Sequence, residues 1–364
     1  MTAVSQESSS LTDIIRAEIK ASGVISFARF MELSLYHPKY GYYEMDASRI
    51  GRGGDFITSV SIGEAFGQLL ASRFAKWLGE IEGAVRIVEI GAHDGQLAYD
   101  MLVWLSKYNQ SVFSRLKYTI IESSGKRRDW QADHLAEFDG HVEYFHSLSE
   151  MPEIGGIIYT NELLDAFPVH RICWSASKRD WFELGVSCDA KEFCWVTMQG
   201  RSSDWRSLLP AWPDSLLDIL PDGYNTEISP AAIKWWQTAA RHLGKGKLVA
   251  FDYGHGPDEW PSPSQHRGTV RGYHKHKRID NILANPGRQD ITAHANFHLI
   301  KKQGESAGLT TEQFTSQERF LGSVFAELVQ GFPELAQKID LRQFQALVHP
   351  AQMGRSFQVL VQSI

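Results

Sequence analysis

The chain has 364 residues, which at roughly 150 residues per domain allows one elaborated domain or a domain with a substantial insertion. Its 43% hydrophobic, 12% aromatic and 22% charged content excludes a disordered, collagenous or coiled-coil chain. A net charge of −6 leaves no global basic field, so contact with nucleic acid or an anionic membrane is restricted to local patches.

The polar start MTAVSQESSS has no apolar core, and the following LTDIIRAEIKASG carries acids, which points to a cytoplasmic protein without a targeting leader. Ser10 as N-cap, with Asp13 three residues on, opens an amphipathic helix with Leu11, Ile14, Ile15 and Ile19 on one face. Residues 35–59, rich in Gly and Tyr, read as a long ordered loop. Ser61 with Glu64 is expected to form a capping box for a helix carrying Phe66, Leu69, Leu70, Phe74 and Trp77.

From residue 85 short apolar runs alternate with helical patterns, the sign of βαβ units and a parallel sheet. VRIVEIG (85–91), YTIIE (118–122), VEYFHS (142–147), GIIYTNE (156–162) and KLVAFDYG (247–254) are the expected strands. Residues 170–200 carry three β-type runs with no helix between them, an antiparallel insertion. They also hold all three cysteines, Cys173, Cys188 and Cys194, without the C-x-x-C spacing of a zinc site. Ser229 and Pro230 start a helix expected to end at Gly244 and Gly246. Residues 255–293 are too long for an ordinary connection and read as a lid or a disordered loop. Two strand-like runs, GLTTEQFTS and SFQVLVQSI, close the chain, and the last is expected as a central or edge antiparallel strand of the same sheet.

The strand 85–91 runs through Ala92, His93, Asp94 and Gly95 into a helix, the order of a nucleotide site. Gly91 and Gly95 either admit a ligand to the backbone or simply permit the turn. Glu89 lies in the strand. Glu122 ends the next one, where an ionised carboxylate can accept hydrogen bonds from both ribose hydroxyls of a nucleoside. No G-x-G-x-x-G or Walker lysine is present, and Asp94 would repel a pyrophosphate. A cationic, phosphate-free nucleoside suits the turn better, and S-adenosylmethionine is such a ligand.

The segments IGRGGDFITS (50–59), VEIGAHDGQLAYDML (88–102), NELLDAFPVHR (161–171), FDYG (251–254) and 268–297 together resemble the MidA family of methyltransferases. The match follows the same order over most of the chain. The resemblance implies a class I methyltransferase, Rossmann-like α/β fold with a doubly wound sheet, an N-terminal helical cap and an antiparallel β insertion. It implies S-adenosylmethionine as cofactor and a protein arginine as acceptor, with a respiratory complex I subunit as the implied partner; the acidic charge balance and the lack of a long apolar run point to no nucleic acid and no membrane insertion. On this reading residues 1–80 are a cap and cofactor-covering loop, and 81–364 the catalytic domain, with 170–228 inserted and 255–296 as lid. The family's glycine-rich turn here carries Ala92 and His93 centrally, and a β-carbon at His93 crowds the site if its φ is positive.

Asn161, Glu162 and Asp165 stand where such an enzyme presents groups to its acceptor. If Glu162 starts a helical turn, Asp165 at i+3 shares its face, and two carboxylates can grip a guanidinium. The alternative is an ordinary acidic helix start. Asp55 and Thr58 are expected near the amino group of the cofactor, or else form an Asx-type turn. Asp252 and Asp290 bracket the proposed lid and are expected to shape the acceptor site. Within it Arg267, Arg271, His274, Lys275, His276, Lys277 and Arg278 read as a solvated basic run rather than a nucleic-acid site, and His274, His276 and His294 match no metal motif. Rival readings are a non-catalytic binding protein on the same fold, a methyltransferase for another acceptor, and a nicotinamide oxidoreductase, disfavoured by the missing fingerprint.

Overall fold

In the computed structural model the alternating rhythm becomes one large sheet with strands β1 (Val85–Ile90), β2 (Leu116–Ile121), β3 (Val142–Phe145), β4 (Ile154–Asn161), β5 (Leu243–His255), β6 (Thr310–Ser316) and β7 (Phe357–Ser363). The structure describes residues 10–44, 58–189, 192–198, 205–256, 260–261, 265–274 and 277–364. The spatial order is β3-β2-β1-β4-β5-β7-β6, with the two-residue Ala295–Asn296 parallel to the end of β5. The first five strands are parallel, and β7 runs antiparallel between β5 and β6. Chain direction around the sheet reverses between β1 and β4, and ligands of open α/β sheets bind outside the carboxyl ends at that switch.

The central strands are near-continuous apolar runs because helices cover the sheet. On one face Phe66, Leu69, Leu70 and Phe74 of the helix Ala65–Gly79 share a core with Leu97, Met101 and Leu105 of the helix Gln96–Tyr108 and with Ile87, Tyr118, Ile157 and Tyr159. The two helices approach so closely that a β-carbon on Gly67 would lie 2.5 Å from Asp100 Cβ.

The chain forms two compact units. The sheet belongs to the unit of Ala47–Asp165, Ala232–Trp260 and His294–Ile364. The other, Met1–Asp46, Ala166–Ala231 and Pro261–Ala293, pairs His170–Ser175, Asp180–Cys188, Phe193–Thr197, Asn225–Ile228 and Ile25–Ser26 in an antiparallel sheet. Its core joins Leu11, Ile15 and Ile19 to Phe27, Phe30, Val186, Val270 and Ile291.

Several expectations are corrected. The Ser10 and Asp13 capping box forms as read, opening the helix Leu11–Ser22. The second box is instead Thr58 with Ser61, at a short helix Ser59–Ile62, and Glu64 makes no side-chain cap. Gly63, at φ 143°, separates that short helix from Ala65–Gly79. The helix Pro230–Arg241 stops before Gly244 and Gly246, which lie inside β5. The expected cap of residues 1–80 divides after Asp46, because the first two helices pack on the antiparallel sheet. In place of a lid or disordered loop, described residues of the 255–293 stretch form a three-stranded sheet of Arg271–His274, Lys277–Ile279 and Asp290–Thr292. No helix among the described residues is long and apolar enough to cross a membrane.

Candidate cofactor and acceptor site

The turn after β1 is built from left-handed backbone. Gly91, His93 and Gly95 have φ of 84°, 49° and 86°. His93 therefore occupies the conformation that a glycine would supply, one that His tolerates better than most side chains. Gln131 donates from Nε2 to the His93 carbonyl at 2.9 Å. A β-carbon on Gly91 would come within 3.2 Å of Leu163 Cδ1, so this turn abuts the segment after β4.

Asp94 accepts from Gln96 N–H at 3.2 Å and lies 3.5 Å from His93 Nδ1, as a local cap of the helix Gln96–Tyr108. Burial raises its pKa, but the His93 contacts and the Gln96 N–H outweigh it and leave the carboxyl below its ordinary value. Glu89 is 3% exposed and accepts from Tyr118 OH at 2.7 Å, with Tyr159 OH a further 2.6 Å away. Burial, opposed by the tyrosine hydrogen bonds and assisted by Asp94, pushes its pKa up to about 7. Sequence reading placed Glu89 on the cofactor, whereas the structure sets its carboxyl among tyrosines of the two neighbouring strands. Glu122, at the end of β2, accepts from Ser124 N–H at 2.8 Å and Arg127 Nε at 2.9 Å. Each oxygen so used retains a second lone pair.

At the other side of the switch, Asn161 ends β4 and Glu162 follows at φ 53°. Glu162 does not open a helical turn; the following 3-10 turn is Leu164–Ala166. Its Oε1 accepts from Ser59 N–H at 3.0 Å and Asn161 Nδ2 at 3.3 Å. Asp165 enters through its backbone, because Asp252 Oδ2 on β5 accepts from the N–H groups of Leu164 at 2.7 Å and Asp165 at 3.3 Å. Asp252 Oδ1 accepts from Tyr253 N–H at 2.8 Å. Fully buried, and beside the charge of Glu162, Asp252 has its pKa driven well above the usual carboxylate range despite those hydrogen bonds. Sequence reading had Asp252 bracket the loop and shape the acceptor site; its place beside Leu164 and Asp165 follows from β4 and β5 lying side by side, with Asn161 opposite Phe251.

Thr58 uses its hydroxyl to accept from Ser61 N–H at 3.1 Å, so it shapes the segment that presents Ser59 N–H to Glu162. Asp55 lies outside the described residues. Asp290 belongs to the other unit, where it accepts from Tyr43 OH at 2.9 Å. No cluster of three metal-ligating side chains occurs among the described residues.

This donor set fits S-adenosylmethionine. It offers a left-handed turn that leaves Gly91 and Gly95 without side chains and a carboxylate, Glu122, at the end of β2. Asn161 Oδ1 is buried with no hydrogen-bond partner among the described residues, an acceptor left for a bound group.

A parallel sheet with its final strand inserted antiparallel, and acids rather than phosphate-binding groups at the switch, defines a class I methyltransferase. Residues 69–315 match the family model described as "Putative S-adenosyl-L-methionine-dependent methyltransferase", and the chain belongs to that family. It is 29% identical to the Drosophila melanogaster "Protein arginine methyltransferase NDUFAF7 homolog, mitochondrial", over 96% of this chain and 84% of the relative. The mouse "Protein arginine methyltransferase NDUFAF7, mitochondrial" is 26% identical at the same coverage. A crystal structure from Burkholderia thailandensis, of a "likely methyl transferase" bound to S-adenosyl-homocysteine, is 31% identical with a TM-score of 0.82, covering 97% of this chain and 92% of that one. The MidA resemblance is thereby borne out, and the protein is an S-adenosylmethionine-dependent methyltransferase. The expected cytoplasmic location is overturned by these relatives, which are named as mitochondrial proteins.

Proposed function

We propose that this enzyme methylates an arginine side chain of a protein, in the setting of respiratory complex I assembly. The names of its relatives support the arginine acceptor, and the MidA resemblance supports the complex I setting. The observation that carries the reading is that Glu162, directly after β4, lies beside Asp252 inside the adjacent β5, the one carboxylate half-buried and the other fully so.

When bound, S-adenosylmethionine supplies a methyl group made electrophilic by its sulfonium. Gly91 and Gly95 keep the turn clear of side chains, and Glu122 accepts from the ribose hydroxyls. Asp94 stabilises the turn, Glu89 lies beneath it in β1, and Asp55 and Thr58 belong to the segment proposed to cover the amino group. Glu162, with Asn161 beside it and Asp165 as second carboxylate, holds the guanidinium by charge-assisted hydrogen bonds and fixes one nitrogen in line. A guanidinium keeps its proton before transfer because its pKa is above about 12. The proton is therefore released afterwards, toward Glu162. Asp252 acts by position, tying Leu164 and Asp165 in place.

Incubation of the protein with methyl-labelled cofactor and arginine-containing fragments of complex I subunits, followed by tandem mass spectrometry, tests the reading. Label on arginine is the expected result. Label on lysine, a carboxylate or a non-protein acceptor alone overturns it.

A further inference from the structure

The unit built from the antiparallel sheet carries an arginine cluster that the methyl-transfer chemistry does not use. Arg171 stands opposite Glu227 on paired strands, yet Arg171 Nε and Glu227 Oε1 are 4.0 Å apart and neither makes a hydrogen bond among the described residues. Both side chains are largely buried, at 16% and 3% exposed. The Arg171 guanidinium lies over the Trp195 ring, 4.6 Å from its centroid, and donates to the Arg267 carbonyl at 2.9 Å. Glu227 spends its other oxygen on Thr269, from N–H and hydroxyl, each at 2.9 Å.

The segment from Arg267 leads to Arg271, which donates to the carbonyls of Val270 at 2.9 Å and Gly268 at 3.3 Å and to no acid among the described residues. Arg278 is exposed and lies opposite Tyr273 in the small sheet, which puts it on the same face as Arg271. Burial first, then the charges of Arg278 and Arg171, lower the Arg271 pKa against the pull of Glu227. Asp290, also opposite Tyr273, is buried and accepts from Tyr43 OH. Arginines that repel one another beside Glu227 and Asp290, whose carboxyls already accept from Thr269 and Tyr43, have donors in a fork that matches an oxyanion.

We infer that Arg171, Arg271 and Arg278, with Arg267 at the rim, form a receptor for carboxylate side chains of an acidic segment of the protein acceptor. The inference rests on the protein-acceptor reading. Charge complementarity selects the occupant: a chain of net charge −6 concentrates positive charge here, and an acidic segment supplies several carboxylates in series for several arginines.

The test is fluorescence anisotropy of the full chain with a labelled peptide of alternating Asp and Gly, with the Asn/Gly peptide as control. Wild type should bind the acidic peptide and lose it as salt rises. Arg278→Gln, at an exposed position, should weaken binding at least fivefold, and Arg271→Gln should do the same with cofactor affinity unchanged. Equal binding of the Asn/Gly peptide, or unaltered binding by both variants, overturns the inference. So does a short oligonucleotide of equal charge binding more tightly, or inorganic phosphate binding under conditions where the acidic peptide does not displace it. Because this readout needs no methyl transfer, labelling on a residue other than arginine with peptide binding intact faults the acceptor reading alone. Lost peptide binding with arginine labelling intact faults this site alone.

Discussion

Glu89 makes stability depend on pH in a direction and amount that can be worked out. In the folded protein its pKa is about 7, against 4.5 for the free side chain. The folded state therefore holds this proton more tightly than the unfolded chain. The associated stability is fully present below pH 4.5 and is lost as pH rises to about 7. At about 1.4 kcal/mol per pH unit, the loss is on the order of 3 kcal/mol by pH 8. Glu89→Gln keeps the shape, and its amide oxygen still accepts from Tyr118 OH, but nothing titrates. In the absence of cofactor, the stability of the variant relative to wild type should rise by about 2–3 kcal/mol between pH 5 and pH 8. Urea denaturation followed by tryptophan fluorescence at each pH measures it. Parallel pH profiles for the two proteins would refute the buried-acid account of Glu89.

Two other substitutions probe the packing and the cofactor turn. Gly67→Ala places a methyl group 2.5 Å from Asp100 Cβ between two close helices and should cost about 1–3 kcal/mol, read as a lower urea midpoint; an unchanged midpoint would show that the helices separate freely. Glu122→Ala should weaken S-adenosylhomocysteine by about 1.5–3 kcal/mol in calorimetry, the worth of a hydrogen bond to a charged group. An unchanged dissociation constant in a folded variant removes Glu122 from the site.

Local features were legible in the sequence. The strand, turn and helix at 85–108 could be read because hydrophobic period, glycines and the following acid are close together in the chain. Ser10 and Asp13 were legible for the same reason. What was not legible depended on partners distant in sequence. The tyrosine partners of Glu89 were not foreseen, because nothing local announces that Tyr118 and Tyr159 arrive from the strands on either side. Glu162 was placed at the start of a helical turn, and its left-handed backbone is settled by contacts with Ser59 and with β5. Asp252 gained its importance from strand adjacency. The stretch 255–293 was read as a lid or a disordered loop because its described strands are short and pair only with one another, so the two-residue period is too brief to register. The second unit draws on three separated segments, which no single window of sequence reveals.

The central claim is that Glu162 serves the acceptor and not the cofactor. Glu162→Gln retains an oxygen to accept from Ser59 N–H and Asn161 Nδ2, so the fold should persist while the charge is lost. The decisive measurement pairs calorimetric binding of S-adenosylhomocysteine with labelled methyl transfer to an arginine-containing complex I fragment, in wild type and variant. Cofactor affinity within about twofold, with transfer reduced about 10- to 150-fold, is the predicted result, since one charge-assisted contact is worth roughly 1.5–3 kcal/mol. Equal transfer by both proteins, or a matching loss of cofactor affinity, would contradict the account.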